Sequence, residues 1–128
     1  MNRAAAGRAG YARGKWAETL AAWLLRAKGY RILGRRVAPP RGSGAGEIDI
    51  VARRGRTLAF VEIKARPSAE EGLFAVSPQQ QRRLLRAAAW FTKNQPRHAM
   101  CDIRFDVVVV APGRWPLHLP DAWRGDFL

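Results

Sequence analysis

The chain has 128 residues, a single cysteine and a formal net charge of +13 at pH 7. This length suits one domain with a buried core, and a lone cysteine excludes an internal disulfide or a cysteine-rich zinc site. No apolar stretch is long enough to span a bilayer, so we expect no membrane partner. We predict a single domain over residues 1–128, located in the cytoplasm, where cysteines stay reduced.

The N-terminal segment, residues 1–13, is rich in alanine and arginine and contains no acidic residue. We interpret it as a disordered basic arm, because it lacks the apolar core of a secretory signal. A helix is predicted over residues 11–28, where apolar residues recur at helical spacing, and Gly29 would end it as a C-terminal cap.

Residues 34–46 are rich in glycine, proline and arginine, which predicts a mobile basic loop. Two strands follow within residues 46–66, and the dipeptide Gly55-Arg56 suits the two-residue turn of a hairpin with glycine first. One face of this hairpin is uniformly apolar and is predicted to face the core; it consists of Ile48, Ile50, Ala59, Val61 and Ile63.

The remaining segments complete a βα pattern. After a loop at 65–75, Ser77 and Pro78 predict the start of a helix over 79–93, with Gln80 as the capping-box partner of Ser77. An apolar strand over 103–111 and a short edge strand over 114–120 follow. Parallel strands joined through a helix form a βαβ crossover, so we predict an α/β fold with a mixed sheet covered by helices.

Charged residues occupy hairpin positions where a half-buried strand usually carries apolar ones. In the predicted register Asp49 faces Glu62 and Glu47 faces Lys64, and either two-residue turn leaves all four on one face. Two facing carboxylates repel each other unless a cation lies between them or one is protonated. Mg²⁺ or Mn²⁺ is the expected cofactor, because hard cations prefer oxygen ligands. The alternative is an ion pair between Glu47 and Lys64, with the other two acids in solvent.

The excess of basic residues favours a polyanionic partner, most commonly nucleic acid, although an arginine-rich composition alone could also produce it. We find no recognition helix with base-reading residues at known offsets, so the structure of the nucleic acid is the expected target. The candidate phosphate-binding residues lie in the first loop and on the outer face of the second helix: Arg35, Arg36, Arg41, Arg82, Arg83 and Arg86.

Asp49, followed after twelve residues by Glu62-Ile63-Lys64, resembles the Asp...Glu-x-Lys site of the restriction-endonuclease-like nucleases. Five segments narrow the resemblance: "GxxAExxAxxxLxxxGYxIL" in residues 14–33, then "GEIDIV", "FVEIKAR", "RLLRAAAWF" and "RFDVVVV". Together they resemble the YraN family of bacterial proteins over residues 14–110. This resemblance implies a restriction-endonuclease-like fold similar to that of archaeal Holliday junction resolvases.

The resemblance further implies a metal-dependent endonuclease, for which DNA, including branched DNA, is the expected substrate ahead of RNA, although the sequence leaves both choices open. Asp49 and Glu62 would bind the metal, Lys64 would assist the attacking water, and Glu18 of the first helix would complete the metal site. A homodimer would be needed to cut a symmetric junction. Members often carry a lysine early in the second helix, where this chain has glutamines; we interpret Gln80 as a cap.

Two hypotheses from other classes stay open. The chain could be a non-catalytic nucleic-acid-binding module in which the acidic cluster is structural or vestigial. Alternatively, its basic surface could bind an acidic protein partner.

Overall fold

The computed structural model describes residues 3–66 and 76–124, without the side chains of residues 3–13. The predicted loop at 65–75 lies almost wholly outside the described residues. In chain order the elements are α1 (Arg3–Ala27), β1 (Arg31–Val37), β2 (Ile48–Arg54), β3 (Thr57–Ala65), α2 (Pro78–Asn94), a 3-10 helix (Pro96–His98), β4 (Asp102–Val110) and β5 (Leu117–Trp123).

The five strands form one mixed sheet in the order β1-β2-β3-β4-β5. Neighbouring strands are antiparallel except for β3 and β4, which are parallel and are connected through α2. A parallel pair requires such a crossover. The predicted α/β class is therefore confirmed, and the mixed sheet with its helices is compatible with a restriction-endonuclease-like fold.

The two helices cover opposite faces of the sheet. The cluster under α1 includes Ala21, Ala22 and Leu25, and small alanines allow the helix to approach the strands closely. The cluster under α2 includes Leu84 and Phe91. The sheet residues on the α1 side are Ile50, Ala52, Ala59, Val61 and Val108, and those on the α2 side are Ile48, Val51, Leu58, Phe60 and Phe105.

Ile48 departs from the predicted alternation of the hairpin. It is fully buried, as predicted, but it packs in the α2-side cluster and not beside Ile50. The pairing of β2 with β3 extends only to Ile50 and Val61. The regular alternation of side chains between the two faces of the sheet therefore does not continue to Ile48. The prediction that Ile48 shares the face of Ile50 was wrong.

The ends of both helices follow local sequence signals. Gly29 adopts φ +91, and the backbone N–H of Tyr30 donates to Leu25 O at 3.0 Å, so α1 ends in the predicted glycine cap. Ser77 Oγ accepts a hydrogen bond from the backbone N–H of Gln80 at 3.2 Å, which confirms the predicted start of α2. The helix α1 begins at Arg3 rather than at residue 11, and it includes residues 3–13, for which we predicted a disordered arm.

The predicted basic loop at 34–46 is only partly a loop. Its first residues belong to β1, because strand pairing with β2 extends to Val37. The rest is anchored on α2: the backbone N–H of Gly46 donates to Arg83 O at 3.1 Å, and Arg86 Nη1 donates to Gly44 O at 3.3 Å. The prediction of a mobile loop missed β1, whose pairing partner lies more than ten residues away in sequence.

The strand β5 confirms the predicted edge strand, and it covers a polar side chain in the centre of β4. Asp106 is fully buried and hydrogen-bonded, with Arg104 and His118 as side-chain partners. No helix within the described residues is both long enough and apolar enough to cross a membrane.

Candidate functional site

The hairpin of β2 and β3 positions the predicted acidic pair. Val51 pairs with Phe60, as predicted from the turn, and Gly55 has the φ of +60 that the first position of this turn type requires. Backbone pairing between β2 and β3 extends as far as Ile50 and Val61. The next residue outward on each strand is one of the two predicted metal ligands.

Asp49 and Glu62 converge just beyond this last pair. Asp49 Oδ2 accepts a hydrogen bond from the backbone N–H of Ile63 at 2.8 Å, which fixes the carboxyl group against β3. The two carboxyl groups are close enough for the charge of Asp49 to raise the pKa of Glu62.

The environment of this pair disfavours ionisation of both groups. Burial raises the pKa of Glu62, the charge of Asp49 raises it further, and Lys64 only partly opposes these effects, so the pKa is about 7. Burial also raises the pKa of Asp49, although the hydrogen bond from Ile63 opposes that rise. A cation placed between the two groups would relieve this repulsion.

Lys64 and Gln80 complete the contacts of Glu62. Lys64 Nζ lies 3.4 Å from Glu62 Oε1 and donates to Gln80 Oε1 at 3.1 Å. Gln80 Nε2 donates to the same Glu62 oxygen at 2.9 Å. The three side chains form a closed triangle, in which an amide is suited to the third position because it both donates and accepts. The interpretation of the Gln80 side chain as a capping-box partner was wrong, since only its backbone bonds Ser77.

The cross-strand ion pair between Glu47 and Lys64 is not formed among the described residues. Lys64 pairs with Glu62, and both side chains are about nine-tenths buried. Glu47 instead lines a cavity of about 320 Å³ on the other side of Asp49. The alternative in which Asp49 and Glu62 point to solvent does not describe this arrangement.

Glu18 lines the same cavity as Asp49, but its own contacts are to arginines. Arg35 Nε donates to Glu18 Oε1 at 2.8 Å, and Arg36 Nε donates to Glu18 Oε2 at 2.6 Å. Burial alone would raise the pKa of Glu18, but the hydrogen bonds and charges of Arg36 and Arg35 outweigh it and lower the pKa. Glu18 is therefore ionised and neutralised by the two arginines.

Arg36 adopts φ +51, a left-handed conformation that is uncommon for residues other than glycine. Strained backbone of this kind often occurs at functional sites, where the surrounding contacts hold it. Arg36 lines the cavity together with Asp49 and Glu47. The strained Arg36 thus lines this cavity together with three acidic residues.

The other predicted phosphate-binding residues are exposed, in the loop that follows β1 and on α2. Arg41 is exposed in the loop that follows β1. The outer face of α2 is exposed and basic, as predicted, and it contains Arg82, Arg83 and Arg86. Arg35 and Arg36 differ from these residues because they contact Glu18 at the cavity.

The sequence of the chain matches a known protein family. Residues 17–110 match the sequence model of the uncharacterised protein family UPF0102, which is the YraN family. The chain belongs to UPF0102. A UPF0102 protein of Paramagnetospirillum magneticum is 52% identical over 129 residues, covering 98% of this chain and 100% of the relative. Another, of Parvibaculum lavamentivorans, is 55% identical over 120 residues, covering 94% of this chain and 87% of the relative.

A third UPF0102 relative, of Caulobacter vibrioides, is 49% identical over 112 residues and covers 88% of this chain and 86% of its own length. The names of these relatives state no activity. The family is therefore established, while the chemistry of this UPF0102 protein has to be argued from its site.

The donor set of this UPF0102 protein suits a hard cation with several open positions. Within residues 3–66 and 76–124, no group of three or more His, Cys, Asp or Glu side chains is gathered into a metal cage. Mg²⁺ does not require one, since it is usually held by one or two carboxylates and keeps several waters. Asp49 and Glu62 supply two carboxylates whose mutual repulsion a cation would relieve. The residues present therefore fit Mg²⁺ or Mn²⁺.

Two features of the site were missed from the sequence. The side chain of Gln80 contacts Glu62 and Lys64, and the signal that could have found it is the family's lysine early in this helix. The contacts of Arg35 and Arg36 with Glu18 had no signal in the sequence, because they depend on β1 lying in contact with α1.

Proposed function

We propose that this UPF0102 protein is a metal-dependent endonuclease that hydrolyses phosphodiester bonds in DNA. The observation that carries this proposal is the neighbouring pair of Asp49, fixed on the Ile63 N–H, and Glu62, which has Lys64 Nζ 3.4 Å from its Oε1. Burial and the charge of Asp49 raise the pKa of Glu62 to about 7, which is unfavourable for a purely structural pair. Perturbed carboxyl groups of this kind cluster at functional sites.

Asp49 and Glu62 would hold Mg²⁺ or Mn²⁺, which supplies Lewis-acid activation of the phosphate and of the attacking water. Asp49 is held in place by the Ile63 N–H, so this ligand is oriented before any cation binds. The family resemblance supports the same two residues as ligands.

Lys64 would act on the attacking water and on the phosphate. Its ammonium group is almost buried and is oriented by Glu62 and Gln80. A positive charge held at this point offsets the negative charge that develops on the phosphate, and it can orient or deprotonate the water. Gln80 keeps Lys64 and Glu62 in a fixed relation and is a positioning residue.

Glu18 has a supporting role in this proposal. It lines the cavity that Asp49 borders, and it holds two guanidinium groups there. When a phosphate enters, Arg35 and Arg36 can exchange their carboxylate partner for the phosphate, and Glu18 is then released to support the metal. Exchange of this kind suits arginine, whose planar fork binds carboxylate and phosphate alike.

The net charge of +13 and the exposed arginines of the loop and α2 support nucleic acid as the partner. Cleavage of a symmetric branched substrate would need a homodimer. A DNA partner agrees with the cytoplasmic location predicted from the single cysteine.

A non-catalytic nucleic-acid-binding module is the second candidate function. It is favoured by the way the charged groups already satisfy one another, since Gln80 and Lys64 bind Glu62 and two arginines bind Glu18. In that case the acidic pair would serve only the structure of the hairpin.

A cleavage assay separates the two candidates. Branched, single-stranded and duplex DNA and RNA are incubated with the protein and Mg²⁺, Mn²⁺ or EDTA. We expect metal-dependent cleavage of DNA that Asp49→Asn abolishes and that Asp102→Asn, a change of an exposed acid on β4, leaves intact. Binding without cleavage of any substrate would support the binding module instead.

A further inference from the structure

One face of α1 exposes two tryptophans. Trp16 and Trp23 are each 64% exposed. They are two helical turns apart, so they stand on the same side of α1, about 10 Å apart along its axis. Tryptophan is mostly buried on average, and two on one helix face differ from the scattered single hydrophobic residues of an ordinary surface.

The same face is basic and has no exposed acidic side chain. Lys15 and Arg26 are exposed on it, and the Arg26 guanidinium lies 5.7 Å from the centroid of the Trp23 ring. Glu18 is the only acidic residue in the sequence from residue 14 to residue 27, and it is buried against two arginines. The tryptophan rings therefore lie in a positive field.

A third basic residue reaches this face from β1. Arg35 Nη2 donates to Thr19 Oγ1 at 3.2 Å, and Thr19 lies between the two tryptophans on the helix. Arg35 also binds Glu18, which lines the cavity beside Asp49. The tryptophan face and the candidate active site are thus connected through one arginine.

We propose that Trp16 and Trp23 form a stacking surface for unpaired bases of a nucleic acid, with Lys15, Arg26 and Arg35 neutralising the phosphates. Exposed aromatic rings within a basic surface are the means by which proteins bind single strands without sequence preference. In a duplex the faces of interior bases are covered by their neighbours. The surface therefore selects single-stranded segments and junctions with unpaired bases.

This surface deepens the proposed function, on which it rests for the class of partner, and it names the substrate as DNA with unpaired nucleotides. A strand stacked on the tryptophans would pass its phosphates along Arg35 towards the cavity. A second copy of the chain is a poorer occupant, because two such faces would bring like charges together. The positive charge fits a polyanion.

The test is binding in EDTA, which does not depend on catalysis. Fluorescence anisotropy is measured with labelled oligo(dT) and with a blunt duplex, for the wild type and for W16A/W23A. We expect the double variant to bind oligo(dT) at least about tenfold more weakly, with duplex binding changed about twofold or less. W16F/W23F, which keeps aromatic rings, should restore most of the affinity.

Trp115 provides the matched control. It is 92% exposed and lies between β4 and β5, away from α1 in sequence, so W115A should bind like the wild type. Equal losses in W115A and W16A/W23A, or unchanged oligo(dT) binding in W16A/W23A, would overturn the proposal. Melting temperatures of all variants are compared, and loss of oligo(dT) affinity in a W16A/W23A protein that melts like the wild type is the supporting result.

Two further outcomes identify other occupants of the surface. If W16A/W23A converts a dimer to a monomer in size-exclusion chromatography while oligo(dT) binding is unchanged, the face is an interface between copies and the proposal is wrong. If oligo(dT) binding depends on the two tryptophans but no nucleic acid is cleaved, the stacking surface is supported and the proposed catalysis is rejected. If DNA is cleaved but oligo(dT) binding does not depend on the tryptophans, only the stacking surface is rejected.

Discussion

The sheet carries two acidic sites with opposite electrostatic environments, the single buried Asp106 and the pair of Asp49 and Glu62. Asp106 accepts hydrogen bonds from Arg104 Nε at 2.8 Å, from Arg104 Nη2 at 2.7 Å, from His118 Nε2 at 2.8 Å and from the Asp121 N–H at 3.0 Å. Burial alone would raise the pKa of Asp106, but the bonds from Arg104 and His118 outweigh it and lower the pKa to about 2.

The pair of Asp49 and Glu62 is also largely buried, but each acid has another acid as its neighbour. One lysine and one amide contact Glu62, and they leave its pKa raised to about 7. A buried carboxylate with a bidentate arginine is satisfied by the fold itself. A carboxyl pair that a single lysine only partly neutralises would be stabilised by a bound cation. This contrast distinguishes Asp106, which the fold itself satisfies, from Asp49 and Glu62, the proposed metal ligands.

Removing a charge from the acidic pair should have the largest effect on activity. We expect Glu62→Gln to lower metal-dependent cleavage by at least about a thousandfold, since it removes a proposed ligand of the metal. The variant should melt at the same or a higher temperature at pH 8, because repulsion with Asp49 is relieved. Cleavage rates and melting temperatures are measured together. An active Glu62→Gln protein would contradict the assignment of this pair as the metal site.

The two acidic sites should respond oppositely to pH. Asp106 has a lowered pKa, so its contribution to stability is present above the ordinary value of 3.8 and is lost as the pH falls towards about 2; it amounts to roughly 2 kcal/mol. Glu62 has a raised pKa, so stability should decrease as the pH rises from 4.5 to about 7, and then stay level.

Urea unfolding measured from pH 2 to pH 9 checks both limbs of this curve. Asp106→Asn should flatten the acidic limb and Glu62→Gln the limb between 4.5 and 7. Mg²⁺ should restore stability above pH 7, where both carboxyl groups are ionised. A Glu62→Gln protein with an unchanged curve would show that the pair does not hold its proton into the neutral range.

Substitutions of Lys64 show whether this lysine takes part in the reaction or only stabilises the acidic pair. We expect Lys64→Ala and Lys64→Arg each to lower the cleavage rate by about a hundredfold or more, while nucleic-acid and metal binding persist. Arginine cannot lose its proton, and its planar fork differs in shape from an ammonium group. Cleavage and melting temperature are compared with those of Lys93→Arg on the exposed end of α2. Full activity in Lys64→Arg would reject lysine chemistry.

Gln80 should have the smallest of these effects, because it positions groups without reacting. We expect Gln80→Ala to lower cleavage about tenfold, from the loss of the amide bonds to Glu62 and Lys64. The neighbouring exposed Gln79 provides the control, and Gln79→Ala should behave like the wild type. The pH dependence of cleavage is measured as well, since only a positioning role predicts that Gln80→Ala shifts it. An unshifted profile with a normal rate would leave Gln80 without a role.

Much of the acidic site followed from local sequence. The turn at Gly55 set the register of β2 against β3 as far as Ile50 and Val61, and alternation along β3 places Lys64 beside Glu62. The face of the sheet on which Ile48 packs was not predictable in this way. The regular pairing of β2 with β3 ends at Ile50, and β2 departs from strict alternation there. Periodicity describes a strand only as long as its neighbour stays in register.

By itself, the sequence determined the α/β class, the crossover between parallel strands, the caps at Gly29 and Ser77, and the family. These features depend on residues close together in the chain, where turn chemistry and hydrophobic period act directly. Only the tertiary structure decided that residues 34–37 form a strand, that Gln80 turns from its cap to Glu62, and that two arginines bind Glu18. Each of these contacts joins residues more than ten positions apart, and the energy that selects them comes from burial and charge pairing that exist only once the helices lie on the sheet.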